Sequence, residues 1–401
     1  MNMNVKIVIL FNLLLSLLIL PTWAKSSTLT SSTYKKLERA QKELQSSQYQ
    51  SAIDMLLPVI QKSKKNSLDR AMSWQLIGHA YASQNNYPKA IEAYEKALAQ
   101  NSLHDSLKKS VIVNLGQLYM AENKYQQGIT LLEQLIISDK TEHNNHSNIH
   151  ILIANGHYEL NQFNAAVPHV KKAIELSKKP EETWHQLLLS LYFELKQFDN
   201  SARQLEKMTH LFPSKKLYWK QLSSIYMQTK QEKKALKALQ LAWQKNLLNE
   251  EQDIIDLSNL YALQELPFEA ATVLQHGLDS HIIASSFKHW ERLSRLYLIA
   301  KEQKRAILAM EKAVTFSNNG DDHLTLARIY MADEQWKKAQ EILKIARTKE
   351  LTNPKGLEYF YAIVLFEQGE QKKSKELFSD LLNDEKFSAK VKPWMEYLAR
   401  K

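Results

Sequence analysis

The chain has no cysteine, and among its 401 residues only 8 are glycine and 9 are proline. Without cysteine there are no disulfides, no thiolate metal sites, no iron–sulfur ligands, no thiol nucleophile and no lipidated cysteine. Eight singly scattered glycines cannot build a glycine-rich phosphate loop, and neither a G-x-S-x-G elbow nor an H-E-x-x-H pair occurs. Catalysis is therefore not expected, and no cofactor is implied. So little glycine and proline leaves few residues for tight turns, which favours long helices joined by short connections. What is abundant is apolar and charged: 44% hydrophobic, 24% charged, with a net charge of +10. The lysines are spread along the chain between apolar positions, as on a solvated helical surface, rather than gathered in a nucleic-acid-binding stripe. The aromatic residues fall into repeating apolar slots, so no nucleic-acid partner is expected.

Residues 1–24 read as an export leader. A single Lys6 precedes the apolar run Ile7–Leu20, and Thr22 and Ala24 supply the small residues of a cleavage site. The run is shorter than the roughly 20 residues a spanning helix needs. Cleavage after Ala24 predicts a mature chain without stable membrane insertion, located in a Gram-negative periplasm. The alternative is an uncleaved inner-membrane anchor. Residues 25–32 form a polar lead-in.

Self-similarity governs the remainder. Trp74, Ile77, Gly78 and Tyr81 are followed by Tyr87, Ala90, Tyr94 and Ala97. The slots recur as Leu115, Gly116, Tyr119 and Tyr125; as Ala154, His157, Phe163, Ala166 and Val170; and as Leu188, Tyr192, Phe198 and Leu205. They continue as Trp219, Ser223, Tyr226 and Ala235; Leu257, Ser258, Tyr261 and Ala270; Trp290, Ser294, Tyr297 and Ala306; and Leu326, Ala327, Tyr330, Trp336 and Ala339. This pattern resembles the tetratricopeptide repeat family, W-x2-L-G-x2-Y followed by A-x3-F and a proline. Units start near residues 33, 71, 109, 147, 182, 216, 251, 287, 320 and 355 and cover 33–388. The resemblance implies an all-α, right-handed superhelical solenoid of about ten helix pairs. A final helix over 389–401 would cap the last apolar face.

A curved stack of this type presents the first helix of each pair along an inner groove suited to a peptide or helix. The positions expected to line it include Gln75, His79, Gln117, Asn155, Tyr158, Lys220, Asn259, Arg295 and Arg328, beside Val113, Ile151, Ser224 and Met227. Some family members clamp a C-terminal carboxylate with Lys and Asn from neighbouring first helices. Lys220 and Asn155 have those types but sit in units that are not adjacent. Arg295 and Arg328 occupy equivalent slots in adjacent units and form a candidate cationic pair, against the plainer expectation of ordinary pairing, for instance with Glu291. His143, His146 and His150 in TEHNNHSNIH form a weak metal candidate; a polar, histidine-rich loop is the plainer expectation, so no metal is assigned. His79 and His157 occupy repeat slots and are expected to be structural.

Size, leader, absent cysteine and repeat layout are together similar to the tetratricopeptide proteins that accompany TonB–ExbB–ExbD systems in marine gamma-proteobacteria. That likeness implies a periplasmic scaffold that assists TonB-type transport by contacting TonB or ExbD. The alternative is an adaptor for envelope assembly, such as polysaccharide export, secretion or outer-membrane assembly.

Overall fold

The structure, a computed structural model, describes residues 29–138 and 146–399. The leader, residues 25–28 of the lead-in and His143 lie outside the described residues. Among the described residues there are 21 helices, and the one β-contact is an isolated bridge between Asn319 and Glu350. No helix there is long and apolar enough to cross a membrane.

The chain divides into two compact units, one running to Met208 and the other from Thr209. The first contains the helix pairs α1 (Ser31–Gln45) and α2 (Tyr49–Lys62), α3 (Leu68–Ser83) and α4 (Tyr87–Leu98), α5 (Asp105–Ala121) and α6 (Tyr125–Ser138), and α7 (His146–Glu159) and α8 (Phe163–Leu176). It also holds α9 (Glu182–Glu194) and most of α10 (Phe198–Leu211). The second contains α11 (Lys216–Gln228) and α12 (Glu232–Gln244), α13 (Glu251–Leu263) and α14 (Pro267–Asp279), and α15 (Phe287–Ile299) and α16 (Gln303–Val314). It ends with α17 (Gly320–Ala332) and α18 (Trp336–Arg347), α19 (Pro354–Glu367) and α20 (Gln371–Leu381), and the single helix α21 (Ser388–Ala399). Ten pairs and a terminal helix match the expected repeat count. Part of the extra length of the early units goes into the first helices: α3 and α5 have 16 and 17 residues, against 13 in α9, α11, α13, α15 and α17.

Each pair is closed by the same three-residue turn. Its middle residue is left-handed: Ser47, Asn85, Asn123, Asn161 and Lys196 in the first unit, then Lys230, Glu265, Lys301, Glu334 and Gly369. The next N–H returns to a carbonyl five positions back, as in Asn86 to Tyr81 (2.9 Å), Gln162 to His157 (2.8 Å) and Gln231 to Tyr226 (2.7 Å). This bond satisfies a carbonyl that the helix end would leave open.

Inside each pair the small slot sets how closely the helices approach. A Cβ on Gly78 would lie 2.8 Å from the buried Tyr94 ring, and one on Gly116 would lie 2.8 Å from Cγ of Leu132. In α11, α13 and α15 a serine takes the slot and bonds across the pair. Ser223 donates to the Ala235 carbonyl (3.0 Å), Ser258 to Ala270 (2.9 Å) and Ser294 to Ala306 (2.7 Å). Ser374 makes the reciprocal bond to Ala362 at 2.8 Å. At the end of the chain α21 buries Val391 and Leu398 and stacks Trp394 on Phe378, with ring centroids 5.6 Å apart. That covers the apolar face of the last pair, as a terminal cap does.

Candidate functional site

In the first unit the expected binding positions fall on the first helices α3, α5 and α7, in i,i+4 pairs that share a face: Gln75 with His79, Val113 with Gln117, and Ile151 with Asn155. Gln75, His79 and Asn155 are buried, while Val113, Gln117, Ile151 and Tyr158 are half-buried. Tyr158 packs its ring against Phe163 at 5.5 Å. The residue following the small slot has one property in common across the three helices. His79 Nδ1, Gln117 Oε1 and Asn155 Oδ1 are each buried and have no hydrogen-bond partner. Only eight side-chain atoms among the described residues are in that condition, and three of them share this single repeat slot in three successive units. Burial without a partner is unfavourable by roughly 1–3 kcal/mol per group, so a row of such atoms is a feature that a ligand's polar groups would relieve. Burial also lowers the pKa of His79, which keeps its ring neutral and able to donate or accept.

The same slot in the second unit is arranged otherwise. Asn259, Arg295 and Arg328 are exposed. Asn259 accepts from Arg292, Arg295 pairs with Glu291 on its own helix, and Arg328 lies over the Phe360 ring at 5.3 Å. Lys220 and Asn259 do share one cavity, of about 260 Å³, bounded by Ser224, Met227, Asp253 and Asp256. Its charge centre is Asp253, whose side chain is fully buried and accepts from Lys220 (2.5 Å) and Lys216 (3.0 Å). Burial pushes the Asp253 carboxyl up, but the two lysines outweigh it and hold it below its ordinary value. Lys220 is thus occupied by an internal carboxylate.

The histidines regroup. His146 opens α7 and His150 is half-buried one turn later, but the ring partner of His150 comes from α8: its Nδ1 lies 3.0 Å from Nδ1 of His169. Burial first, then the neighbouring His169, His146 and Lys172, lower the His150 pKa to about 4. His169, His157 and Glu133 were not singled out together by sequence. The available signal was that His157 takes the slot filled by Tyr81, Tyr119, Tyr192 and Tyr226 elsewhere, seven residues from His150 on the same helix.

Helix pairs that repeat one set of packing slots define the class: a helical-repeat scaffold for protein–protein interaction. Residues 71–102, covering most of α3 and all of α4, match the family model of the tetratricopeptide repeat, and the other pairs repeat its slots. No curated protein matches the chain. Among solved structures, a tetratricopeptide repeat protein from Parabacteroides merdae is 14% identical, covering 79% of this chain and 99% of that one, with a TM-score of 0.38. The C-terminal part of a repeat protein from Cytophaga hutchinsonii is 14% identical over 70% of this chain and 95% of that one, with a TM-score of 0.41. YrrB, described as a TPR protein with an unusual peptide-binding site, is 18% identical over 47% of this chain and 90% of its own, with a TM-score of 0.37.

Proposed function

We propose that the chain is a periplasmic scaffold that binds an extended segment of a partner protein along α3, α5 and α7, and that the partner belongs to a TonB-type energy-transduction complex, TonB or ExbD. The observation that carries the binding mode is the row of unpartnered atoms on His79, Gln117 and Asn155. Packed helices lie roughly 8–10 Å apart, and an extended chain advances about 3.3 Å per residue. Successive slots would then meet every third residue of a bound strand. The side-chain amides would pair with its backbone, while Val113, Ile151 and Tyr158 would grip its side chains. The compartment and the partner are supported by the leader sequence, the absence of cysteine and the likeness in layout noted above.

The test is direct binding of the purified periplasmic domains of TonB and ExbD to the chain, followed by the variants Asn155→Leu and Gln117→Leu. Each variant is expected to weaken binding about tenfold, the equivalent of one lost hydrogen bond of ~1.4 kcal/mol, with circular dichroism unchanged. Binding that is indifferent to both variants would remove the slot from the mechanism. Absence of binding to either domain would remove the TonB assignment.

A further inference from the structure

We propose that Glu133, His157 and His169 form a binding site for a zinc-type divalent ion that ties α6, α7 and α8 together. One donor atom from each residue lies within 4.8 Å of the other two. Two imidazole nitrogens and a carboxylate oxygen are a ligand set suited to zinc, and a chain without cysteine has no softer competitor for it.

The site is assembled by helix packing. Gly156, next to His157, lets α7 close onto α6: a Cβ there would meet Ile129 Cγ1 and Met120 Cε at 2.9 Å. Ile129 stands one turn before Glu133 on α6, so this close approach brings His157 Nε2 to 3.9 Å from Glu133 Oε1. That separation is too long for a hydrogen bond. With zinc–ligand bonds of about 2.0–2.2 Å, tetrahedral ligands stand roughly 3.3 Å apart. The Glu133 side chain is half-exposed, so it has room to rotate toward the imidazoles.

The hydrogen bonds behind the cluster prepare the donors. The helix-ending turn after α7 bonds the Gln162 N–H to the His157 carbonyl, which places the Gln162 side chain beside the ring. His157 Nδ1 lies 2.7 Å from Gln162 Oε1. An amide oxygen only accepts, so Nδ1 is the donor here, and in the neutral tautomer this leaves the lone pair on Nε2. This is the outer contact that orients metal-binding histidines. His169 has the same opportunity, since its Nδ1–H can donate to Nδ1 of His150 at 3.0 Å. The nearby cation Lys172 is engaged by Glu175 at 3.2 Å. His146 is not among the three ligands.

Isothermal titration of zinc into the chelator-treated full chain tests the proposal. One equivalent is expected to bind, and saturating zinc is expected to raise the melting temperature, because an ion held only by the folded state stabilises it. His169→Ala and Glu133→Gln should each weaken binding at least tenfold. Gln162→Ala, a change at an exposed turn, should weaken it by about 10–100-fold through loss of ligand orientation. His146→Ala should leave it unchanged. No stoichiometric binding overturns the site. So does binding that survives His169→Ala and Glu133→Gln, or binding abolished by His146→Ala. Should His169→Ala fail to fold, Glu133→Gln and Gln162→Ala decide the matter alone.

Discussion

In α3, α5 and α7 the residue after the small slot holds a buried polar atom without a partner, whereas in α13, α15 and α17 it is exposed and internally paired. His79, Gln117 and Asn155 hold polar atoms that nothing among the described residues answers, whereas Asn259, Arg295 and Arg328 each have a partner of their own. The small slot itself differs in parallel. The pairs of α3 and α5 reach close helix contact by omitting side-chain atoms at Gly78 and Gly116, and those of α11, α13 and α15 keep a serine and bond it across the pair. One repeat geometry is thus filled in two ways. At this slot the second unit pairs its side chains internally, and the first leaves a buried polar atom without a partner among the described residues.

The sharpest way to break this comparison is to open the second unit. Replacing Lys216 and Lys220 by methionine leaves Asp253 buried without a counter-charge. The expected loss is about 3 kcal/mol, the low end of the range for a stranded buried charge, because both lysines are partly solvated. Denaturant unfolding measures it, and hydrogen exchange should localise the loss to α11 and α13. The pH dependence has a definite sign. In the parent chain Asp253 is held below its ordinary 3.8, so its contribution is complete above that value and disappears as pH falls through the lowered one. In the variant, acidification protonates the stranded carboxylate, so the deficit relative to the parent should shrink between pH 7 and pH 4. A deficit independent of pH would mean that packing, not charge, holds α11 to α13.

A smaller contrast separates the two small-slot solutions. Gly116→Ala places a Cβ against Leu132 Cγ, which is fully buried and has nowhere to retreat; the expected cost is about 1–3 kcal/mol of overpacking. Ser294→Ala removes only the bond to the Ala306 carbonyl and should cost about 1 kcal/mol. Equal losses in thermal unfolding would mean that the two units do not solve the slot differently.

The repeat and its slots were legible in sequence because both follow from residues a few positions apart on one helix. Gly78, Gly116 and Ser294 announce helix contacts by their spacing alone, and the slot containing His79, Gln117 and Asn155 followed from it. Whether that slot is buried was not legible, since burial depends on the neighbouring helices packed against it. The histidine cluster was hidden for a related reason. Glu133, His157 and His169 come from three helices, whereas His143, His146 and His150 stand together in one local run. Asn85 and Asn161 marked turns, but Lys196, Lys230, Glu265 and Lys301 did not, although they adopt the same left-handed backbone.

That last difference yields the finest test of the two units. A left-handed residue with a Cβ is disfavoured by roughly 1–2 kcal/mol, less for asparagine, whose side chain bonds locally. In the first unit Asn123 also accepts from Tyr125 Oη at 2.6 Å, and Asn85 from Tyr87 at 3.2 Å. At the exposed Lys230 the φ of 58° is met by a residue with neither advantage. Lys230→Gly should therefore stabilise the chain by up to about 1 kcal/mol, the relief of backbone strain exceeding the added freedom of glycine when unfolded. Asn123→Gly should be neutral or slightly destabilising, since it gives up the tyrosine bond for little relief. If both substitutions raise the unfolding midpoint alike, the asparagine turns are placeholders, and the first unit owes nothing to the Asn–Tyr contact that distinguishes its pairs.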